Sequence, residues 1–212
     1  MTGTTEGLRA RKKRETRLAI SHTATRLFLE RGFEKVTIAE IAEAAGVAKM
    51  TVTNYFPRKE DLALDVHEEF VAWPAGTVRD RAPGESALAA LHRAYLGAVD
   101  RREAVIGFSG EPFARLVAGS PTLVARVREL HEEREHALAE TLADETGDTG
   151  LTPRLAAAQL GGVHRVLFHE AQRQTADGRT REEIAASLTG AAAEAFGLLG
   201  PSLEGYAVRT SK

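Results

Sequence analysis

Residues 37–63 read TIAEIAEAAGVAKMTVTNYFPRKEDLA, and the fold is decided there. Thr37-Ile38-Ala39-Glu40 has the form of a capping box, in which the threonine side chain accepts from the amide three residues on and the glutamate reaches back to the threonine amide. Ile38, Ile41 and Ala42 share one face of the helix that this box opens, and Gly46 predicts its end after about two turns. A second short helix over residues 48–55 follows at once. Two short helices joined by a tight glycine-containing turn make a helix-turn-helix. In the second helix Val52 and Phe56 are expected to face the core, leaving Lys49, Thr53 and Asn54 outward. A short, slim helix with a polar tip is what fits a DNA major groove about 12 Å wide.

Working outward, Pro57 breaks the pattern and residues 58–62 open a further helix expected to run toward Phe70 and Trp73. Upstream, Ile20, Ala24, Leu27 and Phe28 mark the buried face of a first helix that Gly32 should end. Arg9, Arg11, Lys12, Lys13 and Arg14 form a basic arm leading into that helix, and residues 1–8, small and polar, are expected to be disordered. Downstream, Pro83-Gly84 precedes a helix from Glu85, and Gly107, Gly110 and Pro112 interrupt the next one. Ser120-Pro121 and Thr152-Pro153 are helix starts, with ends expected near Glu145 and Ala176. Thr180-Arg181-Glu182-Glu183 is a second capping box, opening a last helix expected to stop at Gly200-Pro201. No run alternates with period two. The fold class is all-α, with about nine helices: a three-helix helix-turn-helix domain over residues 1–60 and a larger helical domain over 61–212.

Composition removes several classes of function. The 212 residues include no cysteine, which excludes disulfides, cysteine-based metal sites and a thiol nucleophile. The N-terminus has no apolar segment behind its charges, and no run approaches the roughly 20 uninterrupted apolar residues of a membrane span. A cytoplasmic protein without a membrane partner is expected. The net charge of −2 hides an asymmetry: residues 1–60 hold 12 Lys or Arg against 7 Asp or Glu, and the rest hold 16 against 23. A basic head on an acidic body suits a polyanion partner for the head. His131 and His136, like His164 and His169, are five apart and fall on different helix faces, so no metal site is expected. No catalytic constellation is present either, so the chain reads as no enzyme.

The 37–63 stretch strongly resembles the DNA-binding domain of the TetR family of bacterial transcription regulators. Ala24, Leu27, Phe28 and Gly32-Phe33 sit where that family has its A-x-x-L-F-x-x-x-G-F pattern. By their chemistry Lys49 suits guanine or phosphate, Asn54 adenine, and Thr53 a hydroxyl bond or thymine methyl contact. Met50 and Thr51 join them as DNA-binding candidates on the same helix. The resemblance implies that Thr37, Tyr55 and Lys59 touch the DNA backbone; for Thr37 a purely capping role stays open. Arg11, Lys12, Lys13 and Arg14 could follow phosphates or the minor groove, a solvated tail being the alternative. Met50 replaces a common glycine and Thr53-Asn54 a frequent aromatic pair, so base preference does not transfer from relatives.

The same resemblance implies that residues 61–212 bind a small molecule and dimerise. Residues 87–145 are also similar to an actinobacterial subgroup associated with acyl-CoA-like ligands. Candidate pocket residues are Phe70, Trp73, Tyr95, Phe108, Phe113, His164 and Phe168, with plain core packing the alternative. His164 and Glu170 could close an apolar cavity, though a surface pair is the favoured reading. The last two helices are the expected dimer interface, through Leu160, Gly161 and Leu167 on one and Leu188, Ala192 and Phe196 on the other, giving a four-helix bundle. Intrachain packing of that surface is the alternative. The expectation is a homodimeric repressor released from a palindromic double-stranded DNA operator by a largely apolar effector, with no cofactor. A ligand-dependent activator and a helical adaptor for another protein are the alternatives.

Overall fold

The computed structural model describes residues 7–210, apart from the side chains of Leu8 and Arg9. The described residues form ten α-helices and one short 3-10 turn, with no strand. The chain divides into two compact units: residues up to Asp65 together with Leu116–Leu123, and Val66–Arg115 together with residues from Val124 onward.

The first unit contains α1 (Leu8–Arg31), α2 (Ile38–Ala44), α3 (Lys49–Tyr55) and α4 (Lys59–Ala63). Its core gathers Ile20, Leu27, Phe28, Phe33, Ile41, Val52, Phe56 and Leu62. Leu123, distant in sequence, is fully buried among them. The basic cluster is not an arm ahead of α1 but its first turns. Lys and Arg are good helix formers, and Arg11 sits 3.5 Å from Glu15 one turn on. The disorder expected of residues 1–8 falls mostly outside the described residues. The helix expected to run from residue 58 to Trp73 is split, which raises the count from nine to ten. At the break Asp65 accepts the Ser21 hydroxyl, and the Asp65 carbonyl accepts from Arg17 at 3.4 Å. These tethers to α1 hold the chain out of helical register until His67.

The second unit contains α5 (His67–Arg79), α6 (Ala87–Arg101), the 3-10 turn Ala104–Ile106, most of α8 (Pro121–Thr146), α9 (Thr152–Ala176) and α10 (Arg181–Leu203). Between the 3-10 turn and α8 lies α7 (Glu111–Gly119), whose residues from Leu116 count with the first unit. α10 packs on both α6 and α9. It continues through Pro201, where its end was expected, because the chain goes on bonding beyond the proline: the Glu204 amide reaches the Gly200 carbonyl at 3.0 Å, and Leu203 is buried. By length and composition alone α10 is apolar enough to cross a membrane, unlike anything expected from the uninterrupted runs of the sequence. It begins with Arg181, Glu182 and Glu183, however, and its Ile184, Leu188, Ala192 and Phe196 pack inside the protein.

That packing corrects the expected dimer interface. Leu160, Leu167, Leu188, Ala192 and Phe196 are all buried within the chain's own core, so they cannot form a surface between chains. Half-buried Gly161 lies against Glu135 of α8. The largest apolar residues of both helices were taken by the interior, where burial is most favourable. The outer faces carry smaller residues and a few exposed ones: Leu155 and Val166 on α9, Leu198 on α10.

Candidate nucleic-acid interface

Local chemistry fixes the α2–α3 pair. The Thr37 hydroxyl oxygen accepts from the Glu40 amide at 3.2 Å, and the Thr37 amide donates to Glu40 Oε2 at 2.8 Å, completing the capping box. The Thr37 hydroxyl also donates to that carboxylate at 2.8 Å. These bonds from Thr37, with Arg31 nearby, hold the Glu40 carboxyl below its ordinary range. The only hydroxyl proton of Thr37 is therefore spent on the cap, beside a negative charge. At the other end of α2, the Gly46 amide bonds the Glu43 carbonyl and the Val47 amide bonds the Ala42 carbonyl, at 3.1 and 3.0 Å. This is a Schellman stop, and it needs the left-handed φ of +66° at Gly46.

α3 leaves that turn with Val52 and Phe56 buried, as expected. Lys49, Met50 and Asn54 are exposed, Met50 at 69%; Thr51, Thr53 and Tyr55 are half-buried. The Thr53 hydroxyl does not point freely outward: it donates to the Met50 carbonyl at 3.1 Å. That leaves its methyl group and lone pairs for a base edge.

Lys59 is turned inward. Its Nζ donates to the Phe33 carbonyl at 2.6 Å and lies 4.2 Å over the Phe33 ring. Burial lowers its pKa, against the opposing pull of Glu34, Glu60 and Glu40. Lys59 thus ties the start of α4 to the α1–α2 loop, with two ammonium donors left for another partner. On the same unit the Ser120 hydroxyl donates to Glu34 at 2.7 Å, which holds that carboxyl below its ordinary range.

In the second unit five of the seven pocket candidates come together. Phe70 meets Phe168 at 5.4 Å between ring centroids, while Trp73 and Tyr95 meet His164 at 5.3 and 5.7 Å. Phe196, expected at a dimer interface, joins them at 5.5 Å from His164. Phe108 is buried and Phe113 half-buried, and among the described residues neither makes a ring contact with this cluster. His164 is not a surface partner of Glu170. It is 2% exposed, and Glu170 instead accepts from Arg173 at 2.7 Å and Gln174 at 2.6 Å.

Residues 20–66 match the family described as bacterial regulatory proteins, tetR family. The HTH-type transcriptional regulator TcmR of Streptomyces glaucescens is 36% identical over 176 residues, which cover 77% of this chain and 76% of TcmR. The chain belongs to the TetR family. Among solved structures, a TetR-family regulator from Mesorhizobium loti shares the fold with a TM-score of 0.51 at 20% identity, covering 88% of this chain and 98% of that one. NalD of Pseudomonas aeruginosa shares it with a TM-score of 0.52 at 20% identity, covering 87% and 97%.

This TetR-family protein is a DNA-binding transcription regulator. Two of its features escaped sequence reasoning. Leu116–Leu123 counts with the helix-turn-helix unit, and only tertiary packing reveals that. Arg134 is buried within α8, and the signal for it was present: Leu123, Val127, Leu130, Arg134, Leu138 and Leu142 form one helical stripe, with arginine at a core position.

Proposed function

We propose that this regulator is a homodimeric repressor, released from a palindromic operator by a small molecule. The observation that carries the reading is the α2–α3 pair, held at both ends by local bonds, with Lys49, Met50 and Asn54 projecting from a sealed core. Lys49 and Asn54 would read base edges, with Met50, Thr51 and the Thr53 methyl group packing beside them. Arg11, Lys12, Lys13 and Arg14, on the exposed first turns of α1, would supply phosphate contacts along with Tyr55 and the remaining donors of Lys59. Thr37 would act chiefly as the cap that orients α2.

The pairing of two such heads is supported by α10, of whose apolar window only 22% is buried within one chain. Gly190, Ala193 and Gly197 lie on its exposed side, the two glycines facing open space, as close helix approach by a second copy requires. A dimer would set two recognition helices about 34 Å apart, one DNA turn. An effector favouring a conformer with another spacing would release the operator, and DNA would weaken effector binding by the same factor. SmeT, of the same fold with a TM-score of 0.54 at 17% identity, has been solved with triclosan, which supports a small-molecule effector for this fold. The reading calls for no cofactor beyond the effector, and a role on DNA would put the protein in the bacterial cytoplasm.

The test is fluorescence anisotropy with DNA flanking the protein's own coding region, measured across a salt series. K13A should weaken binding to all sequences and reduce the salt slope by about one, whereas N54A should relax preference at one base pair of each half-site. Affinity independent of ionic strength, or wild-type binding by both variants, would overturn the assignment.

A further inference from the structure

Arg134 is a buried cation without a carboxylate partner among the described residues. Two other buried arginines of the second unit are paired: Arg81 with Glu145 at 2.8 Å, and Arg126 with Glu133 at 2.8 Å. Arg134, 3% exposed, donates one bond, from Nη1 to the Val105 carbonyl at 3.2 Å. Its Nε and Nη2 have no hydrogen-bond partner among the described residues. Its guanidinium lies 4.5 Å from the centre of the Phe70 ring and 5.3 Å from that of Trp73. Cation–π contact offsets only part of the cost of removing a guanidinium from water. The neighbours are equally unsatisfied: the Tyr95 hydroxyl, both ring nitrogens of His164 and Nε2 of His131 are buried with no hydrogen-bond partner among the described residues. A fold that satisfies two buried arginines and leaves the third, with three polar side chains around it, unsatisfied has shaped a site for something else.

From this geometry we infer that the Arg134, Tyr95, His164 and His131 cluster is the polar end of the effector site, and that the effector is a planar aromatic molecule carrying one acidic oxygen group, a carboxylate or an acidic phenol. The inference rests on the reading of the protein as ligand-responsive and deepens it from a largely apolar effector to an aromatic anion. The cluster carries one positive charge, because burial keeps His131 and His164 neutral. A single anion balances it. The free donors of Arg134 and Tyr95 suit its oxygens, and each neutral histidine adds one donor and one acceptor. Phe70, Trp73 and Phe168 supply flat walls. His131 touches Phe70 and Phe168 and also lines a cavity of about 470 Å³, together with Arg128, Arg165 and His169 and with the carboxylates Glu132 and Glu135. That size is in the range of small-molecule sites.

Trp73 is the only tryptophan of the chain, so its emission reports on this cluster alone. Naphthoate and its methyl ester, nearly equal in shape, separate charge from aromatic packing. Titrated into the full-length protein, naphthoate should change Trp73 emission saturably, with a Kd at least about tenfold below that of the ester. R134M should abolish that preference while leaving ester affinity within about twofold, and should melt no lower than wild type, because it removes an unpaired buried charge. If R134M does not fold, the acid–ester comparison on wild type decides alone. Equal affinities, a tighter ester, acid preference surviving in R134M, or no saturable signal from either probe would overturn the inference. Operator binding by the same preparation is a separate readout. A protein that binds its operator yet ignores the acid overturns only this inference, whereas one that binds no DNA overturns the regulator reading whatever Trp73 reports.

Discussion

His131 and His164 are kept neutral inside the second unit. Burial is the larger cause for both, and Arg134 adds repulsion to any incoming proton; His169 and Arg165 do the same at His131, whose pKa falls to about 3. His164 is lowered well below its ordinary value. An unfolded histidine takes up its proton near pH 6.5. Below that pH the unfolded chain binds protons that the folded chain refuses, so stability falls as pH drops from about 6.5 toward 3 and is flat above it. Each histidine should contribute a slope of about 1.4 kcal/mol per pH unit within that window. Urea unfolding of wild type, H131L and H164L across pH 4 to 8 measures this: each variant should lose about one histidine's share of the acid slope. An acid limb of unchanged steepness in both would show that these two rings do not cause it.

At the scale of the elements, α2 and α3 are set by signals that act within a few residues, which is why they were legible in the sequence. The Thr37 box and the Gly46 stop need no knowledge of the rest of the chain. Gly46→Ala tests the stop: the added Cβ would meet nothing within 4 Å, so its cost comes from the left-handed φ of +66°, about 1–2 kcal/mol for an L-residue. Thermal melts should show that loss, and DNA affinity should fall further than stability alone explains, because α3 leaves from this turn. Unchanged affinity at a temperature where the variant is fully folded would mean that the turn does not aim α3. The break between α4 and α5 was not legible. It depends on Ser21 and Arg17 meeting Asp65, partners far apart in sequence. The apolar stripes of α9 and α10 were legible as stripes, but hydrophobicity alone does not say whether a leucine faces its own core or another chain. Burial assigned Leu160 and Phe196 to the former.

At the scale of the whole molecule, the helix-turn-helix unit is completed by residues from the middle of the chain. Leu123 is fully buried in its core, and Ser120 binds Glu34 while capping α8 through the Leu123 amide at 3.2 Å. Leu123→Ala should therefore destabilise the head by about 2–5 kcal/mol and weaken operator binding, though the residue lies far from the recognition helix in sequence. The opposite behaviour is expected of Leu198, which is 77% exposed on α10. A glutamate there costs the single chain little, since exposed substitutions away from special features shift stability by roughly 0.5 kcal/mol or less. On a face covered by a second copy it would bury a charge with no partner. Leu198→Glu should thus fold normally, sediment as a monomer and leave the Trp73 response to ligands intact. Its affinity for a palindromic operator should fall about 100-fold or more, because each head then binds its half-site alone. A variant that stays dimeric with wild-type operator affinity would move the interface off this face of α10.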